Sequence, residues 1–283
     1  MHMATLSDLI VSTKWVPRAS GLRFTEGPLW HPEGYLIFSD IPGDTIYRLD
    51  EDGTVTPWRR PSGNSNGLTC AADGRIVACE HGNRQVSIGG PCAATQPVAT
   101  HYGSARLNSP NDVVMRSDGT IYFTDPPYGI QPEQQELPHQ GVYRVTPDGE
   151  LSLVVPDMLR PNGLALSPDE SVLYIDDSGR KEIRAYDVRP DGSLWGGRIW
   201  ADMASDEQGV PDGMKVDQEG NVYCTGPGGI WVLDAKARVL GILRGPEHPA
   251  NVAFGDADWC TLYITAQTGV YSLRTQVPGI PTH

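Results

Sequence analysis

The chain has 283 residues, a formal net charge of −13, and 32 glycines and 24 prolines. Phosphate binding needs a basic surface, so this charge argues against a nucleic acid or an anionic membrane as partner. The glycines and prolines separate apolar runs instead of forming low-complexity tracts, which is typical of a β protein with many turns.

At the N-terminus, residues 1–16 contain Asp8 and no uninterrupted apolar segment, which predicts neither a signal peptide nor a membrane span. The cysteines are odd in number, widely spaced and without a Cys-x-x-Cys pair: Cys70, Cys79, Cys92, Cys224 and Cys260. Reduced thiols are therefore expected instead of a zinc site or a disulfide framework. Together these features predict a cytoplasmic protein.

A short signature recurs along the chain, consisting of a polar residue, usually followed by glycine, ahead of an apolar run. Its copies are Thr25–Gly27, Ser65–Gly67, Pro110–Asp112, Pro161–Gly163, Pro211–Gly213 and, in weaker form, Pro249–Asn251. Intervals of 40, 45, 51, 50 and 38 residues separate their middle positions. That period is the size of one four-stranded blade, so the sequence predicts an all-β fold, a six-bladed β-propeller.

In chain order, residues 1–12 are predicted to be an N-terminal extension, and residues 13–20 a strand that closes the last blade beside residues 269–274. Each blade then reads as short runs of β-branched and aromatic residues between turns, such as Tyr35–Asp40 in the first blade. A long insertion at residues 126–140 interrupts the third blade and predicts a functional rim or lid. A closed ring cannot be cut, so residues 1–283 are expected to form a single domain.

The start of the first strand and the end of the second strand of a blade share one face of the ring. Carboxylates end the second strands of four blades at Asp40, Glu80, Asp125 and Asp177. The same face carries the middle residues of the signature: Glu26, Asn66, Asn111, Asn162 and Asp212. The sequence therefore predicts an acidic mouth at one end of a central channel.

Glu26, Asn162 and Asp212 offer two carboxylates and one amide oxygen, which are ligands that suit Ca²⁺ or Mg²⁺. Burying the two acids without a cation would be costly. An Asp-Gly or Asn-Gly pair is often only a turn, but Asn162 and Asp212 each lead into a first strand after a proline. For Asn66, tying adjacent blades is at least as good an explanation as binding.

These segments resemble the SMP-30/gluconolactonase/LRE family, and among its members the bacterial gluconolactonases. The matching segments are Phe24–Trp30, Cys79–Arg84, Leu107–Val113, Ile121–Pro126, Arg160–Ala165 and Pro211–Met214. The resemblance implies a propeller with one divalent metal held by Glu26, Asn162 and Asp212. It also implies that Asp212 is the catalytic acid/base and that Asn111 contacts metal or substrate. Where regucalcin-like members have an arginine shortly before this asparagine, the chain has Ser109.

The function that this resemblance implies is hydrolysis of a sugar lactone of the gluconolactone type, a small-molecule substrate. Ca²⁺ is the first expectation for the metal, with Mg²⁺, Mn²⁺ or Zn²⁺ as alternatives. His81, Asp125 and Tyr128 are candidate contacts for sugar hydroxyls, although a lone histidine such as His81 is as often structural. Two alternatives stay open: a non-catalytic calcium-binding regulatory propeller, and an enzyme acting on another lactone, an ester or an organophosphate.

Overall fold

A computed structural model describes residues 5–91 and 94–282, so the predictions for residues 1–4 and Cys92 lie outside the described residues. The described chain begins with a four-residue helix, α1 (Leu6–Leu9), and strand β1 (Val16–Ala19). No helix of these two ranges is long and apolar enough to cross a membrane.

Six antiparallel four-stranded sheets follow in chain order. The first two are built from β2 (Thr25–His31), β3 (Tyr35–Asp40), β4 (Thr45–Leu49) and β5 (Val55–Arg59), and from β6 (Ser65–Cys70), β7 (Ile76–Glu80), β8 (Gln85–Gly89) and β9 (Gln96–Ala99). A two-stranded hairpin, β10 (His101–Tyr102) and β11 (Ala105–Arg106), leads to the third sheet, which contains β12 (Val113–Met115), β13 (Ile121–Asp125), β14 (Gln140–Val145) and β15 (Leu151–Met158). A 3₁₀ turn at Pro132–Gln134 lies in the long insertion between β13 and β14.

The second half of the chain repeats the pattern. The fourth sheet is β16 (Pro161–Leu166), β17 (Val172–Asp177), β18 (Glu182–Val188) and β19 (Leu194–Asp202), and the fifth is β20 (Met214–Val216), β21 (Val222–Gly226), β22 (Gly229–Leu233) and β23 (Val239–Leu243). The sixth contains β24 (Pro249–Gly255), β25 (Thr261–Ala266) and β26 (Gly269–Arg274), with β1 as its fourth strand. The prediction of an all-β, six-bladed propeller is confirmed.

The ring closes through the innermost strands. β2, β6, β12, β16, β20 and β24 contact one another in that order, and β24 returns to β2. On the outside, β1 pairs antiparallel with β26, with Val16 opposite Ser272, so the N-terminal strand covers an edge that would otherwise be open.

Each pair of neighbouring blades encloses an apolar cluster, because every sheet presents side chains to both faces. Ile37 and Ile76 meet between the first two blades, and Leu164 and Tyr122 between the third and fourth. Leu9, from the N-terminal segment, packs into the cluster between the fifth and sixth blades. Apart from Cys260, the cysteines within the described ranges are buried, and all four are unpaired: Cys70, Cys79, Cys224 and Cys260.

Candidate active site

The innermost strands bring their first residues to one end of the channel. Glu26 and Asn162 lie at the second positions of β2 and β16, and Asp212 lies two residues before the start of β20. The next residue in each of the three blades is glycine. A Cβ on Gly163 would lie 2.0 Å from the main-chain oxygen of Asp212, so only glycine allows the neighbouring inner strands to approach this closely.

Glu26, Asn162 and Asp212 therefore meet, although the sequence separates them widely. Asp212 lies within hydrogen-bonding reach of both Glu26 and Asn162. Glu26 and Asn162 are buried, and Asp212 is half-buried. Asn162 Nδ2 donates to Ser178 Oγ at 3.1 Å, and that hydroxyl donates to the Pro211 carbonyl at 2.6 Å, which fixes the Asn162 amide beside the Asp212 segment.

The electrostatics of the three residues favour a bound cation. Burial and the neighbouring Asp112 raise the pKa of Glu26 to about 7. Burial, Glu26 and Asp112 raise the pKa of Asp212 well above its ordinary value. A divalent cation would compensate both carboxylates at once, and two carboxylates with one amide oxygen form a hard donor set. Within residues 5–91 and 94–282 no three His, Cys, Asp or Glu side chains form a metal site, and here the third donor is an asparagine.

Two buried side chains that the sequence did not single out lie directly beneath these residues. Asn251 Nδ2 donates to Glu26 Oε2 at 3.0 Å and lies 3.5 Å from Asp112 Oδ2. The main-chain N–H of Val252 donates to Asn251 Oδ1 at 2.8 Å and so fixes which end of the amide faces Glu26. The signal was present in the weak sixth signature, where asparagine stands one position late.

Asp176 is a further buried acid that the sequence did not single out. It is fully buried on β17, and burial, Asp212 and Asp112 raise its pKa well above the ordinary range. Its Oδ1 has no hydrogen-bond partner. The concentration of negative charge at this end of the channel is therefore greater than the signature residues alone indicate.

The carboxylates that end the second strands contribute less to the predicted acidic mouth than expected. They accept hydrogen bonds from groups of their own blades and of the adjoining loops. Asp40 accepts from the main-chain N–H groups of Arg23 and Phe24, and Asp177 from those of Leu159 and Arg160. Glu80 accepts from side chains of its own blade, including Gln85 at 2.7 Å. In each case the carboxylate stabilises a local segment of the chain, and its oxygens are occupied by these hydrogen bonds.

Asp125 follows the same pattern. It is fully buried, and its two oxygens accept from the main-chain N–H groups of Asn108 and Ser109 at 2.8 Å each. Burial raises the pKa of Asp125 to about 7. The structure therefore places Asp125 behind the rim, with no atom open to a substrate.

The remaining predicted contacts lie nearer the mouth. Tyr128 is 42% exposed, its hydroxyl lies beside Ser178 and Asp212, and the Arg160 guanidinium lies 5.6 Å from its ring centroid. Asn111 is buried, and its main-chain oxygen accepts from Gly67 N at 2.8 Å.

His81 and Asn66 form a buried pair close to this end of the channel. His81 Nε2 lies 3.3 Å from Asn66 Nδ2, and the histidine is only 8% exposed. Burial lowers the pKa of His81 to about 4, so the ring is neutral at pH 7. A neutral ring nitrogen can accept the Asn66 N–H, which agrees with the structural role considered for Asn66.

Comparisons with known proteins agree with this architecture. The family model described as "SMP-30/Gluconolactonase/LRE-like region" matches residues 24–268. A gluconolactonase of Zymomonas mobilis is 34% identical, with 96% of this chain and 84% of that protein covered. A pentonolactonase of Haloferax volcanii is 26% identical, with 87% and 82% covered.

Two solved structures extend the comparison. A gluconolactonase from Xanthomonas campestris superposes with a TM-score of 0.88 at 33% identity, covering 96% of this chain and 93% of that one. Regucalcin from Agrobacterium tumefaciens, described as a calcium-binding protein, has a TM-score of 0.77 at 18% identity, covering 98% and 97%, which shows the shared fold. The chain belongs to the SMP-30/gluconolactonase/LRE-like family.

Proposed function

We propose that this protein is a lactone-hydrolysing enzyme that opens a sugar lactone of the gluconolactone type to its aldonic acid, with one divalent cation as cofactor. Family membership and the gluconolactonase and pentonolactonase relatives support the lactonase activity. The observation that carries the proposal is the meeting of Glu26, Asn162 and Asp212 at one end of the channel.

Glu26, Asn162 and Asp212 would hold the cation, with Ca²⁺ preferred because all three donors are oxygens. A cation bound there would act as a Lewis acid on the lactone carbonyl and would offset the negative charge that develops on its oxygen. Asn251 holds the Glu26 carboxylate, and Ser178 holds the Asn162 amide, so both donors are fixed before anything binds.

Asp212 is the proposed general base and acid. It is the most accessible of the three, and its raised pKa makes the ionised carboxylate a stronger base than an ordinary aspartate. In hydrolysis the water oxygen bonds to the carbonyl carbon, and Asp212 takes the water proton. The bond between that carbon and the ring oxygen then breaks, and Asp212 returns the proton to the ring oxygen.

Substrate contacts are proposed for Asn111 and Tyr128, which lie at or near the mouth, while His81 and Asp125 are assigned to the surrounding framework. The segment from Pro126 to Gln140 carries Tyr128 and borders the mouth, so we expect it to set which lactone is accepted. The unpaired thiols favour a reducing compartment, and we place the protein in the cytoplasm, as one closed domain over residues 1–283.

A pH-indicator assay with glucono-δ-lactone tests the proposal. We expect activity that EDTA removes and a divalent ion restores, and Asp212→Asn should lower kcat/KM by about 10²–10⁴-fold. Asp52→Asn, in an exposed turn, is the matched control and should keep full activity.

Full turnover by Asp212→Asn, or after exhaustive chelation, would refute the assignment. Tight binding of Ca²⁺ without turnover of any lactone would favour the alternative of a non-catalytic calcium-binding propeller. Turnover of another lactone, an ester or an organophosphate in preference to gluconolactone would keep the chemistry and change the substrate.

A further inference from the structure

The opposite half of the central channel contains a cavity of about 390 Å³. Its walls are the downstream parts of the innermost strands of all six blades, beyond the residues that form the candidate active site. This volume falls in the range of small-molecule sites, about 300–1,000 Å³. None of Glu26, Asn162 and Asp212 lines it.

A polar layer separates this cavity from the candidate active site. Asp112 and Asn251 come from the third and sixth blades, which stand opposite each other in a ring of six, and they approach to 3.5 Å across the channel. Glycines occupy the equivalent positions of the other blades. A Cβ on Gly213 would lie 1.9 Å from Asn251 Cγ, so the glycines make room for this pair. The two ends of the channel are therefore separate compartments.

The cavity wall is apolar with one cationic side chain. Leu29, Leu68, Val114 and Ala253 represent the apolar lining, and Lys215 is the basic residue among the described residues that line it. An apolar pocket with one cationic group in its wall can bind a ligand that combines an apolar body with a negative charge.

Two acidic residues that also line the cavity have other partners: Glu170 contacts the hairpin between β12 and β13, and Asp169 holds its own turn. Glu170 accepts from Ser117 N at 2.8 Å and from its hydroxyl at 2.7 Å. Asp169 accepts from the hydroxyls of Ser167 and Ser171, both at 2.7 Å. Both follow β16, at the mouth of the cavity instead of its inner end.

Lys215 has unused donor capacity in this cavity. Its Nζ donates to the Met214 carbonyl at 3.0 Å, and an ammonium carries three protons. The remaining protons can meet an acceptor that enters from the apolar side. A carboxylate satisfies this requirement with a charge-assisted hydrogen bond, whereas a neutral group of the same shape does so only weakly.

The C-terminal segment supplies the last wall. Gly279 pairs with Asp217 of the fifth blade, and Thr282 Oγ1 donates to the Trp30 carbonyl of the first blade at 2.8 Å. Between these anchors, Ile280 and Pro281 line the cavity. The segment thus crosses part of the opening and adds apolar surface to it.

We propose that this cavity is a second binding site, for an apolar organic monoanion such as an aliphatic carboxylate, with the carboxylate on Lys215 and the hydrocarbon body between the inner strands. The site lies on the far side of the Asp112–Asn251 layer, and the Lys215 ammonium also interacts electrostatically with Asp112 and Glu26.

Calorimetric titration of the full chain with octanoate and with 1-octanol tests this proposal. The titrations contain EDTA, so that octanoate cannot bind through a metal. We expect octanoate to bind at least tenfold more tightly than octanol. In Lys215→Met, which keeps the length of the side chain, that difference should vanish, whereas the exposed control Lys236→Met should retain it.

A second variant tests whether the ligand binds in this cavity and leaves Lys215 unchanged. Ala253→Leu fills the cavity, and we expect it to weaken octanoate and octanol alike by about tenfold or more. Circular dichroism establishes that each variant is folded. Equal affinity for octanoate and octanol, undiminished octanoate binding by Lys215→Met, or undiminished binding by folded Ala253→Leu would each overturn the proposal.

Discussion

Asn251 shows how a single residue can prepare the candidate metal site from outside the set of ligands. Its amide donates to Glu26 and is itself oriented by the Val252 N–H. Such supporting contacts to a metal ligand are commonly worth about 10–100-fold in metal affinity. We therefore expect Asn251→Ala to weaken Ca²⁺ binding by about tenfold or more, measured by calorimetry.

The matched control for Asn251→Ala is Asn221→Ala. Asn221 is also a buried asparagine that donates to a carboxylate, Asp217, at 2.8 Å, but it lies in the hairpin of the fifth blade. We expect the Asn221→Ala protein to be less stable than the wild type but to bind Ca²⁺ with nearly the same affinity. Equal losses of affinity in both variants would mean that Asn251 acts only through the fold.

His81 makes a prediction for the pH dependence of stability. Burial lowers its pKa from 6.5 to about 4, so between these values the unfolded chain binds more protons than the folded one. The free energy of unfolding must then fall as the pH falls through that window. Between pH 7 and pH 5 we expect the wild type to lose about 2 kcal/mol more than His81→Gln.

Urea unfolding at the two pH values measures this difference. His101→Gln, on an exposed strand, is the control and should follow the wild type. A His81→Gln protein whose stability falls as steeply as that of the wild type would show that His81 is not held neutral.

At the scale of single residues, the sequence predicted the start of each inner strand better than the role of the acids around it. Glu26, Asn162 and Asp212 could be singled out because each stands at the same place in a repeating pattern. The contacts of Asp125 could not be predicted, since the local sequence around a carboxylate at a strand end does not tell whether it faces the channel or accepts hydrogen bonds from a neighbouring loop. Only the structure shows that Asn108 N and Ser109 N occupy its oxygens.

At the scale of elements, the sequence predicted the short strands that are rich in β-branched and aromatic residues. The strand predicted at Tyr35–Asp40 has those bounds in the structure. The hairpin β10–β11 and the outer strand β19 were not identified. β19 is mostly exposed, and Gly196 and Gly197 interrupt the run of apolar residues that would mark a strand. Its position comes from pairing with β18, which a local pattern does not contain.

The glycine that ends the signature in the first, second, fourth and fifth blades is the element-level feature most open to a test. Gly163 has no left-handed backbone angle, so its requirement is steric: a Cβ would meet the Asp212 carbonyl at 2.0 Å. Main-chain atoms cannot rotate away, and we expect Gly163→Ala to lower the free energy of unfolding by about 1–3 kcal/mol or more.

Denaturant unfolding of Gly163→Ala alongside Gly90→Ala measures this cost. A Cβ on Gly90 meets nothing within 4 Å, so that substitution should be close to neutral. The same misfit should displace Asp212, and Ca²⁺ affinity should fall together with stability. A Gly163→Ala protein as stable as Gly90→Ala would show that the inner strands are less tightly packed than the structure indicates.

For the whole molecule, binding of an ion at the candidate metal site would be coupled to the stability of the closed ring. Glu26, Asn162 and Asp212 belong to the first, fourth and fifth blades, so an ion held by all three joins distant parts of the sheet ring. It also offsets part of the net charge of −13 where acids are most concentrated. An ion that binds only the folded ring must stabilise it by mass action, by about 2.7 kcal/mol when its free concentration is 100 times Kd.

We therefore expect the thermal unfolding midpoint to rise steadily with Ca²⁺ concentration, and the rise to disappear in Asn162→Ala, which removes a neutral donor and leaves the net charge unchanged. Differential scanning calorimetry at constant ionic strength separates this effect from screening, because NaCl at matched ionic strength serves as the blank. A midpoint that rises equally in wild type and Asn162→Ala would mean that Ca²⁺ acts on the acidic surface as a whole and not at the hub of the ring.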